Sequence, residues 1–184
     1  MKIKKTQIIS VIIIMFISSV FVFFSPQKAM AAGVLLSPCD YSKIGCKFNC
    51  ECKTHKGHHN GIDYKVGSGV PIMAAESGKV VFADKAPDDD GGGLMVIISH
   101  ERLGLVTAYA HLSEFEVTSG EEVKRGQIIG YTGSTGNAHG PHLHFEVRSG
   151  STKNYNSYWS CVPKNPLDYF ESSYETEDSQ SAIT

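Results

Sequence analysis

The feature that most limits what this chain can become is a series of short β-branched runs between Val70 and Val147, each cut off by glycines. Gly78-Lys-Val-Val-Phe-Ala, Leu94-Met-Val-Ile-Ile-Ser and Leu105-Val-Thr-Ala-Tyr-Ala have strand length and no helical period between them. That pattern predicts an all-β, mainly antiparallel domain with few or no helices beyond the N-terminal segment. Pro87-Asp-Asp-Asp-Gly-Gly-Gly93 separates two such runs and reads as a long solvated hairpin tip. Its three aspartates lack the ligand spacing of a calcium loop.

The ends of the sequence have a different character. Lys2, Lys4 and Lys5 precede an apolar run from Ile8 to Phe24, and Ala29-Met30-Ala31 follows as a small-x-small cleavage pattern. Residues 1–31 therefore read as an export signal, with Ala32 the first mature residue. The competing reading is a membrane anchor, since the apolar run is close to the roughly 17 residues that span a bilayer. Residues 32–56 form a Cys-rich lead-in without periodicity, and 171–184 an acidic, Ser-rich tail expected to be disordered. Between them, Tyr155, Tyr158 and Trp159 are placed either to line a groove or to cap the core, and Asn165–Phe170 is expected to dock back on the sheet.

All 19 acidic residues follow Ala31 while four of the 17 basic ones precede it, so the mature part is acidic and a nucleic-acid partner is not expected. Cys39, Cys46, Cys50, Cys52 and Cys161 suit disulfides in an oxidising compartment, although the pairing is not readable from spacing. A structural zinc site built from these cysteines and His55 is the less favoured alternative, because paired C-x2-C knuckles are missing.

The sharpest chemistry lies in the histidines. His59 and Asp63 are four residues apart, about 13 Å in a straight strand, too far for one small ion. The chain must bend between them, and Gly61 permits it. His142-Leu-His144 leads into Phe145-Glu-Val147, an alternating run in which both imidazoles face one side about 6.6 Å apart. One can bind a metal while the other stands beside it. His111 closes the run from Leu105 to Ala110 and so leaves the sheet where a site can open. His, Asp and His are three ligands, the number that leaves a fourth position of a zinc ion for water, and spare imidazoles suit proton transfer near neutral pH. His55 and His100 lack motif context and read as surface or satisfied residues, His139 as an exposed loop residue, and His58 only as a ligand if the register shifts.

Several ordered motifs give these residues a family context: His59-x-x-x-Asp63, Tyr109-Ala-His111-Leu-Ser, Val123-Lys-Arg-Gly-Gln-Ile-Ile-Gly130, and Thr132-Gly-Ser-Thr-Gly136 leading into Gly140-Pro-His-Leu-His-Phe-Glu146. Over about His59 to Phe170 the chain resembles the lysostaphin-type M23 metallopeptidases, also called LytM domains. The resemblance implies a peptidase domain over 57–170, a twisted antiparallel sheet, and one Zn²⁺ held by His59, Asp63 and His144. It also implies that His111 and His142 are the two catalytic histidines. Glu146, on the face of His144, is a candidate to orient an imidazole through a hydrogen bond behind the metal.

The function expected is a monomeric zinc endopeptidase cutting peptides of peptidoglycan, periplasmic or secreted, or tethered to the membrane through residues 1–31. Its groove would be walled by Gly130–Gly140. The alternative is a silent regulator or wall-binding module that activates other hydrolases. Such members lack one or more of the five residues, whereas this chain has them all.

Overall fold

The computed structural model describes residues 33–40, 43–51, 58–87 and 90–171. The expected export signal, Cys52, His55, Asp88, Asp89 and the tail beyond Glu171 lie outside them. Nine strands form one sheet: β1 (Ile62–Tyr64), β2 (Pro71–Met73), β3 (Gly78–Lys85), β4 (Leu94–His100), β5 (Leu105–Phe115), β6 (Glu122–Val123), β7 (Ile128–Thr132), β8 (Leu143–Ser149) and β9 (Val162–Lys164). The main path runs β1-β8-β5-β4-β3-β6, β7 bridges β5 and β2, and β9 extends the sheet beside β8. Every strand pair is antiparallel. Among the described residues the all-β expectation holds, with one short α-helix added, α1 (Tyr155–Tyr158), and a 3-10 turn at Pro166–Asp168. Among the described residues no helix is long and apolar enough to cross a membrane.

Strand alternation divides the centre of the sheet into two faces. One face of β4, β5 and β8 contributes Val96, Ile98, Leu105, Tyr109, Leu143, Phe145 and Val147 to the main core, together with Ile62, Tyr64, Ile72 and Ile129. The opposite face carries a smaller cluster of Met95, Ile97, Val106, Ala108 and Ala110, covered by Tyr158 and Cys161. On β8 this second face is polar, carrying His144, Glu146 and Arg148. Opposite them on β5 stand Ala110, Ala108 and Val106, and the two alanines leave room for the longer polar side chains.

The lead-in belongs to the core rather than lying loose beside it. Leu35 is fully buried and bridges to Phe170, whose ring stacks on Phe145 at 5.9 Å, so both ends of the domain close over the same aromatic. Cys46 and Cys50 are joined in a disulfide, while Cys39 and Cys161 are buried free thiols. That use of Cys46 and Cys50 removes two donors from the alternative cysteine zinc site.

Candidate metal centre

Three of the expected ligands meet at the β1–β8 pair. Asp63 lies directly across from His144 in the register. His59 precedes β1 and is buried, while its neighbour His58 is exposed. Their donor atoms form a tight triangle: His59 Nε2 to Asp63 Oδ1 is 3.1 Å, His59 Nε2 to His144 Nδ1 is 3.0 Å, and His144 Nδ1 to Asp63 Oδ1 is 2.9 Å. Three ligands of a tetrahedral zinc ion at about 2.0–2.2 Å are themselves about 3.3–3.5 Å apart, so small outward shifts admit the ion. Two imidazoles and one carboxylate are also the donor types zinc takes, and the residues fit the group.

The chain bends at Gly61, between His59 and Asp63, as expected, and β1 starts at the next residue. Glycine has a second physical reason there: a Cβ would meet Phe145 O at 2.2 Å, so it also permits the close approach of β8.

His111 does not close its strand. β5 continues through it to Phe115, and between the pairs Val96↔Tyr109 and Leu94↔Leu112 one residue of β4 opposes two of β5. This bulge at Ala110–His111 puts His111 at φ 63°, a conformation that costs a non-glycine residue about 1–3 kcal/mol and is held by its surroundings. Gly92 O accepts from His111 N at 2.9 Å, and Thr135 O accepts from His111 Nδ1 at 2.8 Å. Thr135 Oγ1 in turn accepts from Leu94 N and donates to Leu112 O, which ties the Gly-rich loop to both strands of the bulge.

The glycines of the hairpin tip explain the closeness of these loops. A Cβ on Gly93 would meet Thr135 C at 2.4 Å, and one on Gly136 would meet Gly91 O at 2.3 Å, both from positive φ. The tip expected to be a solvated turn is therefore docked at its Gly91–Gly93 end and forms part of the site wall. The ring of His142 lies 4.6 Å from that of His111, and its Nε2 is 4.0 Å from Asp63 Oδ1. Asp63, His111, His142, His144 and Glu146 all line one open cavity of about 440 Å³, with Asn137, His139 and Gly140 along its Gly-rich side.

Each of the four imidazoles donates one ring N–H to a fixed acceptor: His59 Nδ1 to Lys47 O, His111 Nδ1 to Thr135 O, His142 Nδ1 to Gly140 O, and His144 Nε2 to Glu146 Oε1. Carbonyls and carboxylates only accept, so each contact fixes one N–H of its ring; the second nitrogens of His59 and His144 meet Asp63 in the donor triangle, and the rings of His111 and His142 line the cavity. Of the pair that spacing alone left open, His144 Nδ1 joins the donor triangle and His142 Nε2 stands outside it.

Charge follows the same plan. Burial alone would raise Asp63, but hydrogen bonds from His144 and His59 outweigh it and hold the carboxyl well below the usual range. Burial opposes a charge on His144, yet Asp63 and Glu146 raise it to about 9 in the metal-free site. Burial also opposes ionised Glu146, but His144 and Arg148 bring it down to about 2. Burial pushes the His111 imidazole down to about 4, leaving it neutral at pH 7.

The model of Peptidase family M23 matches residues 57–157. The chain belongs to this family. It is 43% identical over 90 residues to the DD-carboxypeptidase/endopeptidase Mpg of Neisseria meningitidis, covering 49% of this chain and 20% of Mpg. It is 38% identical over 124 residues to the peptidoglycan DD-endopeptidase ShyC of Vibrio cholerae, covering 65% of this chain and 28% of ShyC. The chain thus spans between a fifth and a third of the length of these curated relatives. Among solved structures, the catalytic domain of the antimicrobial peptidase lysostaphin from Staphylococcus simulans matches with TM-score 0.59 and 34% identity, over 68% of this chain and 89% of that one.

Within this M23 chain, sequence reasoning singled out Glu146 behind the donor triangle but missed the groups that anchor it. Arg148 Nε donates to Glu146 Oε2 at 2.7 Å, and Tyr158 OH donates to the same oxygen at 2.5 Å. The Arg148 guanidinium lies 4.3 Å from the Tyr158 ring centre and 5.0 Å from that of Trp159. The tail aromatics, left open between core and groove, divide the two roles: Tyr158 is buried, and Trp159 borders the cavity with much of its surface exposed. Glu146 and Arg148 at alternate positions of a strand signal a polar face. The partner Tyr158 comes from another element, and no spacing rule reaches it.

Proposed function

We propose that the chain is a zinc-dependent endopeptidase that hydrolyses peptide bonds in peptidoglycan stem peptides or crosslinks. The observation that carries this reading is the convergence of His59, Asp63 and His144 on one point beside His111 and His142, with one nitrogen of every ring held by a hydrogen bond. The endopeptidase names of Mpg and ShyC support the reaction class and the substrate.

His59 Nε2, Asp63 Oδ1 and His144 Nδ1 would hold the ion. Zinc, when bound, supplies a Lewis acid that acidifies water and polarises an amide carbonyl. His111, its Nδ1–H committed to Thr135 O and its ring lining the cavity, takes the proton from the attacking water. His142, its Nδ1–H committed to Gly140 O, offers Nε2 on the facing lip to carry a proton to the departing amine. Asn137 and Gly140 form a low wall along which an extended peptide can lie close to the backbone. A silent regulator finds no support at this site, since all five groups are present. The disulfide supports a place outside the cytoplasm.

The test is to incubate the purified chain with defined crosslinked muropeptides and glycine-bridged peptides, with and without a chelator, and to identify products by mass. Cleavage lost with the chelator and restored by zinc is the expected result. A folded, zinc-supplied chain that cuts none of these peptides overturns the reading.

A further inference from the structure

Residues 43–50 lie outside the segment matched by the family model, yet they run along the edge that carries the first two donors. Gly45 N donates to Asp63 O at 2.7 Å, Asp63 N to Cys46 O at 2.9 Å, and Asn49 N to His59 O at 2.9 Å. Among these contacts, Lys47 O accepts Nδ1–H of His59 at 3.0 Å. Lys47 sits inside the loop closed by the Cys46–Cys50 disulfide, and Asn49 turns that loop at φ 59°. Both sulfur atoms are within 4.8 Å of a His59 ring nitrogen, and Cys46 borders the cavity.

His111, His142 and His144 take their orienting acceptors, Thr135, Gly140 and Glu146, from within the family-matched segment. His59 takes its acceptor from a short loop whose closure is a covalent bond that a redox couple can open. A backbone carbonyl is insensitive to side-chain substitution, so the disulfide is the part of this arrangement that chemistry can switch.

We propose that the Cys46–Cys50 loop is the positioning element for His59, and that the affinity of the site for zinc depends on this disulfide being closed. The inference rests on the zinc-peptidase reading above. A dithiol reductant delivers two electrons and two protons: the Sγ–Sγ bond breaks, Cys46 and Cys50 become thiols, and the reductant closes its own disulfide. The freed loop then no longer fixes Lys47 O beside His59, and the imidazole loses both its preferred tautomer and its aim. Partners of this kind typically govern 10–100-fold in metal affinity, which sets the size of the effect.

The experiment measures zinc affinity by competition with a chromogenic chelator on the full chain in three states: oxidised, reduced by a dithiol that is then removed under nitrogen, and re-oxidised. The expected result is a roughly 10–100-fold loss on reduction, recovered on re-oxidation, with amide exchange protection of β4 and β5 retained throughout. Cys46→Ser/Cys50→Ser should match the reduced state, and if that variant does not fold, the reversible cycle on the natural chain decides. Equal affinity in all three states overturns this inference and leaves the zinc-peptidase reading standing. Cobalt(II) uptake by the reduced chain with thiolate charge-transfer absorption also overturns it, because Cys46 and Cys50 would then be ligands. Failure of the oxidised, folded chain to take up zinc overturns both readings.

Discussion

His144 Nε2 donates to Glu146 Oε1 across 3.0 Å, two residues along one face of the same strand. A member of the donor triangle and its balancing charge therefore come from one short stretch of sequence. Glu146 is anchored in turn by Arg148 and Tyr158, so three buried polar groups stand in line behind the imidazole.

Glu146→Gln should weaken zinc binding by about tenfold, because the amide still accepts from His144 but no longer makes the ring more basic. It should also lower the unfolding free energy by about 3–5 kcal/mol, since Arg148 is left as a buried cation without its carboxylate. Chelator competition and urea unfolding check the two halves separately. Unchanged zinc retention would refute the orienting role of Glu146.

His111→Ala should lower kcat by about 10²–10⁴-fold while the chain keeps its zinc, because His111 stands outside the donor triangle. His142→Ala should do the same. Metal content by atomic absorption beside steady-state kinetics on a crosslinked muropeptide separates the roles. If either variant loses its zinc, the assignment of ligands is wrong.

The strands were legible because β-branched runs bounded by glycines leave few alternatives, and the meeting of His59, Asp63 and His144 was legible through the family motifs. What escaped had physical causes. The bulge at His111 depends on register with β4, which a single strand's sequence does not carry. The bend at Gly61 was legible, but the backbone of Phe145 that also demands a glycine there lies far along the chain. Lys47 contributes a main-chain carbonyl, an atom every residue has, so nothing in its side chain marks the position.

Gly61→Ala should destabilise the domain by about 2–4 kcal/mol, as the added Cβ forces β1 away from β8, and zinc affinity should fall in the same variant because β1 carries Asp63. Gly67→Ala, where a Cβ meets nothing within 4 Å, is the control and should be close to neutral. Denaturant midpoints for the pair test this. Equal midpoints would show that the β1–β8 contact yields without cost.

His100 lies in the main-core side of the sheet, 1% exposed, with Ser77 O 3.0 Å from Nδ1 and Thr107 Oγ1 2.8 Å from Nε2. Burial lowers its pKa below 6.5, so above that pH neither the folded nor the unfolded chain carries the extra proton. As pH falls below 6.5 the unfolded chain binds it first, and stability declines until the folded form also titrates. The zinc-free chain should therefore lose unfolding free energy between pH 7 and pH 5 more steeply than its His100→Gln variant. Parallel slopes from urea unfolding across this range would count against it.

The two-sidedness of β8 has a consequence for how such a protein can change over time. Leu143, Phe145 and Val147 point into the core while His144, Glu146 and Arg148 point the other way, so both inventories are interleaved on a single ribbon. A slip of β8 by one residue against β5 would exchange them, sinking the ionic groups in oil and turning the greasy ones toward the cavity. The strand therefore tolerates exchange letter by letter but not sliding, and a change of length is absorbed only in the loops at its ends.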